Sequence, residues 1–501
     1  MYESEPEPGM GGRRVYHAGQ GAGRVVVHQR DDLPAGEPDG LRPLGGHARL
    51  ESWDWAHCLP YFKRMETCLA GEDDWRGGEG PSNSSGVRPP APLFQAFFEA
   101  VQQAGHPLTT DVNGYRQEGF NAFDRNVYRG RRLSAARAYL HPVLRRPNLD
   151  LWTKAHATCL VMDSSADRPR VTGLEVVHRG RHRTVEAAEV VSCSGAINTP
   201  QLLQLSGIGP AGVLAAAGVE AVVDLPGVGE NLQDHLEVYV QYACTQPVSM
   251  ASHLAHWRKP WIGLQWLFRR GPGASNHFEA GGFLRSNDDV PWPNLMFHFL
   301  PIAIRYDGSV PSAGHGYQFH IGPMFSNSRG WVRIQSDDPF QKPKLLFNYL
   351  STPEDRREWA EAIEVARNIM GQPAFAPFNG GEISPGPDVA GDEAVLDWVR
   401  RDAETALHPS CTARMGTDEM AVVDPTSMRV HGVDGLRVVD ASVMPTLTNG
   451  NIYAPVMMAA EKSADLILGN TPLGPATPRS TGTACPSRTG SRPPMEGKLR
   501  P

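Results

Sequence analysis

Apolar and polar positions along this chain sort into two kinds of segment. Three stretches rich in β-branched and aromatic residues, Leu236–Ala243, Gln318–Met324 and Trp331–Ser336, read as strands. Two others, Pro353–Met370 and Glu393–Arg400, read as helices. Further upstream, the short run Val190-Val191 ends in small residues, and a helix is expected directly after them. There, Asn198-Thr199-Pro200 looks like a helix start: a polar cap followed by a proline whose missing N–H costs nothing at that position. Such a start would aim backbone N–H groups and a positive dipole end at whatever precedes it. Beyond Leu236 the elements mix without strict βαβ alternation. The expected architecture is therefore an α/β unit joined to an antiparallel-sheet domain.

Composition narrows this picture only modestly. A chain of 501 residues can bury a large core and usually forms more than one domain. Its net charge of −7 argues against a nucleic-acid partner and against an anionic membrane surface. No apolar run reaches the roughly 18 residues that suggest a transmembrane segment, and no signal-peptide pattern opens the chain. Seven cysteines at scattered positions form neither a disulfide framework nor a zinc pattern. They point to reduced thiols and a cytoplasmic setting, with a peripheral position on the inner face of a membrane left open. Gly77–Pro92 reads as a surface loop, and Thr471–Pro501 as a disordered tail.

The run SCSGAINTPQLLQLSGIGP at Ser192–Pro210 resembles a signature of the glucose–methanol–choline (GMC) family of flavin-dependent alcohol oxidoreductases. The resemblance extends over Glu51–Leu468. It includes WDWAHCLPYFKRME at Trp53–Glu66, LPGVGENLQDHLE at Leu225–Glu237, FEAGGFLRS at Phe278–Ser286, HPSCTARMG at His408–Gly416 and LRVVDASVMP at Leu436–Pro445. It is strongest to the choline-oxidising branch. The resemblance implies a fold class of α/β plus α+β, with a GMC-type FAD-binding domain interleaved with an antiparallel-sheet substrate domain. The expected division is a remnant of the N-terminal FAD-binding region at 1–75, a cap or linker at 76–150 and FAD-binding sequence at 151–235. Substrate-binding sequence follows at 236–400, a C-terminal FAD-binding and catalytic segment at 401–470, and the tail at 471–501.

Two family features are missing from the sequence. The strand, G-x-G-x-x-G and helix that cradle a dinucleotide pyrophosphate do not occur, so the FAD-binding domain is read as incomplete and N-terminally truncated. The glycine- and serine-rich flavin wrap, roughly RVLGGSSSINAM, is replaced by the polar stretch Gln20–Gly45. Codons for that stretch, read one base later, can spell the family sequence without a break. The stretch is expected to be an out-of-frame translation between compensating changes near Gly19 and His47. On this reading the chain binds flavin weakly or not at all.

The resemblance also implies the site. Alcohol oxidation by hydride transfer needs a base at the hydroxyl, and imidazole is a neutral base near pH 7. His408 is the implied base, or the group that stabilises the alkoxide, and Asn451 is its partner at the substrate oxygen. Glu279 is implied at the cationic head of choline, where a carboxylate and aromatic faces replace hydrogen bonding. His298 would help to hold the substrate. Asp440 and Ala441 would contact the ribityl and phosphate region of FAD, with Asn198, Thr199 and Pro200 at the helix start. Leu407 and Tyr453 depart from the family, which tends to have Tyr and Asn at those positions. No metal site is expected, because the His and Cys residues show no ligand spacing. The implied reaction is FAD-dependent oxidation of choline to betaine aldehyde, with the electron acceptor unassigned. The alternatives are a GMC dehydrogenase for another primary alcohol, and a non-catalytic remnant or binding protein.

Overall fold

The computed structural model describes residues 1–17, 50–84, 86, 91–165, 167–275, 277–305, 308 and 314–476. Gln20–Gly45, most of the expected tail and part of the Gly77–Pro92 loop lie outside the described residues.

One part of the fold is built on α1 (Trp55–Met65), whose N-terminus is capped by the Asp54 carboxylate accepting the His57 N–H at 2.9 Å. Trp55, Cys58, Leu59, Phe62 and Met65 are buried at helical spacing. They join a core formed with α3 (Gly195–Leu205) and α7 (Tyr453–Leu468). A three-stranded antiparallel meander of β1 (Ala155–Asp163), β2 (Arg170–His178) and β3 (Arg181–Glu186) precedes β4 (Val190–Ser192). Strand β4 pairs in parallel with β11 (Leu436–Val438) and feeds directly into α3.

The second part is a sheet that holds the site. Its order is β6 (Ala280–Leu284), β7 (Leu295–Leu300), β8 (Gly316–Pro323), β5 (Leu236–Cys244) and β9 (Asn379–Ser384), all antiparallel, with β10 (Glu404–Thr405) pairing the start of β5. Alternation gives this sheet two faces. Val238, Val240, Phe297, Phe299, Phe319 and Ile321 face an apolar core with α2 (Pro92–Gln103), α5 (Pro353–Met370) and α6 (Asp392–Asp402). Each such side chain stabilises the fold by about 1.5–3 kcal/mol through burial. The opposite face bears Glu237, Tyr239, Gln241, His298, Gln318 and His320, all buried as well.

Helix α5 has the expected bounds. Thr352 caps it, accepting the Asp355 N–H at 3.2 Å, and Pro353 occupies the first position. Helix α6 runs slightly longer than expected. The strand expected at Trp331–Ser336 is shorter, Gly330–Arg333.

The start of α3 differs from the sequence reading. The helix begins at Gly195, so Asn198 does not cap it and Pro200 lies inside it. An interior proline removes the N–H that would bond the carbonyl four residues earlier. Here that carbonyl belongs to Ala196, and the Thr412 hydroxyl donates to it at 2.6 Å. A side chain from a distant segment therefore fills the gap that the proline opens.

Candidate active site

The polar sheet face forms one wall of a cavity. Glu237 of β5, Met296 and His298 of β7, and His320 of β8 line it, together with Phe278 just before β6. His298 and His320 are directly opposed in the β7–β8 register, so their shared face follows from the strand pleat. The other side is closed by Leu407, His408 and Asn451. Asn451 Nδ2 stands 3.2 Å from His408 Nε2. Two segments of the C-terminal part thus converge on one point.

The run Asn231–His235, entering β5, stitches these segments in place. Asn231 donates from Nδ2 to the Cys411 and Pro445 carbonyls at 3.3 and 3.2 Å. Gln233 exchanges backbone hydrogen bonds with Ser410, and its Oε1 accepts the Leu447 N–H at 3.0 Å. Asp234 Oδ1 accepts the His408 N–H at 2.7 Å. Its Oδ2 accepts from the Tyr349 hydroxyl at 2.6 Å and from the Thr405 hydroxyl. Burial pushes the Asp234 carboxyl up to about 7 despite these donors. Leu407, with φ +68°, and Cys411, with φ +76°, adopt left-handed backbone on either side of His408. Such strain persists only where surrounding bonds over-determine it, and this run supplies them.

The hydrogen bonds fix the protonation pattern of His408. Met324 O lies 3.1 Å from His235 Nε2, and a carbonyl only accepts, so Nε2 of His235 holds the proton. Burial pushes the His235 ring down to about 4, which leaves it neutral at pH 7 with a lone pair on Nδ1. That atom faces His408 Nδ1 at 3.0 Å, so His408 donates from Nδ1. In the neutral ring Nε2 then carries the lone pair, 3.2 Å from the Asn451 amide nitrogen and facing the cavity, the form a general base requires. His298 is pushed down to about 3, first by burial and then by His320, and is neutral as well.

The remaining expected residues divide. Ala441 is buried, and its carbonyl accepts the Cys411 N–H at 3.0 Å. Asp440 sits at the start of α3, where Oδ2 accepts the Gly195 N–H at 2.8 Å and the Thr199 hydroxyl at 2.6 Å. The anion at this helix end is thus a side chain of the protein itself. Asn198 Oδ1 accepts from the Tyr2 hydroxyl at 3.0 Å. Glu279 is not among the residues lining the cavity: its Oε1 pairs with Arg125 at 2.7 Å and accepts from Ser275. The carboxylate that lines the cavity is Glu237. Sequence reasoning missed Glu237, Asp234 and His235. The signal was present, because Asn231-Leu232-Gln233-Asp234-His235-Leu236-Glu237 places five polar or charged residues at the mouth of a strand too apolar to be solvated.

A second slot lies beside Thr448, lined by Trp53, Trp55, Phe62, Met444, Pro445, Pro455 and Met458. Thr448 Oγ1 and, close by in sequence, Ser442 Oγ are buried and have no hydrogen-bond partner among the described residues. Apolar aromatic walls beside the unsatisfied Thr448 hydroxyl fit a cofactor that has an aromatic face and a polar rim, as FAD does. Tyr453 is not among the residues lining this slot.

The GMC oxidoreductase family matches twice, with its N-terminal part at residues 46–237 and its C-terminal part at residues 326–460. The chain is 56% identical over 486 residues to the oxygen-dependent choline dehydrogenase of Staphylococcus saprophyticus, covering 95% of this chain and 85% of the relative. The Staphylococcus aureus protein of the same name is 55% identical over 486 residues, covering 95% and 84%. Among solved structures, pyridoxine 4-oxidase from Mesorbium loti superposes with a TM-score of 0.82 at 30% identity, covering 94% of this chain and 88% of that one. Formate oxidase of Aspergillus oryzae RIB40 superposes with a TM-score of 0.76 at 26% identity, covering 83% and 78%.

Proposed function

The chain belongs to the GMC oxidoreductase family, a FAD-dependent alcohol-oxidising family, and we propose that its substrate is choline, oxidised to betaine aldehyde. The observation that carries this reading is the meeting of His408 and Asn451 at 3.2 Å on a cavity with a carboxylate in its opposite wall. His408 Nε2 takes the proton of the alcohol, and the Asn451 amide orients the oxygen. Bound FAD supplies the hydride acceptor.

At the other end, the Glu237 carboxylate and the Phe278 ring suit a trimethylammonium group, which offers charge and methyl surface but no hydrogen-bond donor. His298 is neutral and adds no competing positive charge, and His320 Nδ1 stands 3.3 Å from Glu237 Oε1 in the wall between them. Glu279, one residue past Phe278, is the second candidate carboxylate, and Arg125 offsets its charge. Asp440, Ala441, Asn198, Thr199 and Pro200 belong to the proposal as the frame of the cofactor side. A non-catalytic remnant would have no reason to keep the stitched His408–Asn451 pair. Among the described residues, six cysteines are free thiols, which supports a cytoplasmic location.

The experiment is His408→Ala in the flavin-loaded protein. Turnover of choline should fall by about 10²–10⁴-fold while the flavin absorbance stays. Retained turnover would remove His408 from the chemistry. A second reading, an uncharged primary alcohol, is favoured by the Arg125–Glu279 pair and by Leu407 in the cavity wall. Preference for uncharged alcohols over choline in a substrate profile would select it.

A further inference from the structure

Along β8, Tyr317, Phe319 and Ile321 belong to the apolar core, so Gln318 and His320 share the polar face. Gln318 is fully buried, two residues from His320, and is not among the residues lining the cavity. A buried amide must find partners for both its oxygen and its nitrogen. Gln318 Oε1 accepts the Ile304 N–H at 2.8 Å and the Gln241 side-chain amide at 2.7 Å. Its Nε2 donates to the Ile304 carbonyl at 2.9 Å and lies 2.6 Å from His320 Nε2.

The two-way bonding to Ile304 settles which end of the amide is which. Exchanging its oxygen and nitrogen would set N–H against N–H and carbonyl against carbonyl. The atom beside His320 is therefore an amide nitrogen, which donates and has no lone pair to offer. His320 Nε2 accepts, and the ring proton sits on Nδ1, 3.3 Å from Glu237 Oε1. Edge-on aromatic contacts brace the ring. Tyr239 meets it at 4.5 Å, and Phe278, which follows helix α4 (Lys259–Leu267) along the chain, at 5.3 Å.

Charge gives this arrangement its consequence. Among the described residues lining the cavity, Glu237 is the only carboxylate, and four histidines accompany it. Burial keeps His235 and His298 uncharged at pH 7, and His408 turns its Nδ1 proton towards His235. A second proton on His320 would set an imidazolium against Glu237 and cancel the charge that draws a cation. That proton would have to enter at Nε2, where the Gln318 amide already points a hydrogen.

We propose that Gln318 is a positioning residue for cation recognition: it holds His320 as the Nδ1–H tautomer facing Glu237 and leaves that carboxylate its charge. The proposal rests on Glu237 meeting the cationic end of the substrate. It extends the site to a residue behind the cavity wall.

Ring ¹⁵N spectra of the flavin-loaded protein, labelled at histidine, test the tautomer. The His320 signals, identified by their loss in His320→Gln, should show Nδ1 protonated and Nε2 bare at neutral pH. A protonated Nε2 in the wild type overturns the inference without any variant. Gln318→Glu matches the side chain in shape but only accepts, so it should bring a proton to His320 Nε2. A bare Nε2 in that variant also overturns the inference. Gln318→Met removes the donor, and should raise KM for choline about tenfold with kcat nearly unchanged. KM for 3,3-dimethylbutan-1-ol, which lacks the charge, should stay within about twofold. A merely structural role would shift both alcohols together or lower kcat, and either result overturns the inference, as does an unchanged KM for choline. No choline turnover by the wild type would instead overturn the choline reading, and the ¹⁵N spectra would still decide the role of Gln318.

Discussion

His408 Nδ1 and His235 Nδ1 face each other at 3.0 Å, with the two rings perpendicular. Because His235 is anchored on the Met324 carbonyl, it has only a lone pair to offer on that side. The orientation of a neighbouring ring thus decides which nitrogen of His408 is basic. His235→Leu should lower kcat by roughly tenfold to a hundredfold with little change in KM. His235→Asn, whose amide oxygen replaces the Nδ1 acceptor, should recover most of the loss. Ring ¹⁵N shifts of His408 should report the Nδ1–H tautomer in the wild type and a mixture in His235→Leu. An unchanged tautomer would remove His235 from this role.

Glu237 and Glu279 make competing claims on the cationic end. If Glu237 holds it, Glu237→Gln should raise KM for choline by about tenfold or more, the worth of one desolvated charge contact. It should leave KM for 3,3-dimethylbutan-1-ol, the uncharged isostere, nearly unchanged. Glu279→Gln should have the smaller effect on choline, because Arg125 already offsets its charge. The reverse ranking would move the cationic end to Glu279.

Stability should change with pH on both sides of neutrality. His235 and His298 have folded pKa values lowered to about 4 and about 3, below that of a free imidazole. Their contribution is present above the unfolded value near 6.5 and is lost as pH falls towards those lowered values. Asp234 has the opposite sign. Its folded pKa is raised to about 7, so its contribution is present below the unfolded value near 3.9 and is lost as pH rises through 7. Glu358, also raised to about 7, adds to the same loss. Asp234→Asn should flatten the fall in Tm between pH 5 and 8, read by scanning calorimetry at about half-unit steps. An unaltered slope would show that Asp234 does not titrate in this window.

Thr412 and Pro200 should couple. Thr412→Val leaves the Ala196 carbonyl buried without a donor and should cost about 1–3 kcal/mol in denaturant unfolding. With Pro200→Ala the helix regains its own N–H, and the cost of Thr412→Val should shrink in that background. Additive effects would show that the two residues act separately.

The elements with clear periodicity were legible in the sequence, α5 to the residue and β5 and β8 within one or two positions. His408 and Asn451 were legible through motifs, and their convergence on one cavity follows. The start of α3 was misread because the proline signal is local, whereas the hydroxyl that lets Pro200 sit inside a helix comes from Thr412, far along the chain. Glu279 was named from its motif alone, and Glu237 was not weighed. A sequence gives the position of a carboxylate but not the arginine that faces it, and Arg125 lies in another segment altogether.

Strand β5 begins where the stitches end, so its pleat and the stitching share a single setting. Were β5 to slip by one residue against β8, Val238 would turn into the cavity and Glu237 into the oily layer beneath the sheet. The same slip would tear Asp234 and His235 from the loop they hold. One register therefore sets both the core beneath the sheet and the shape of the cavity above it.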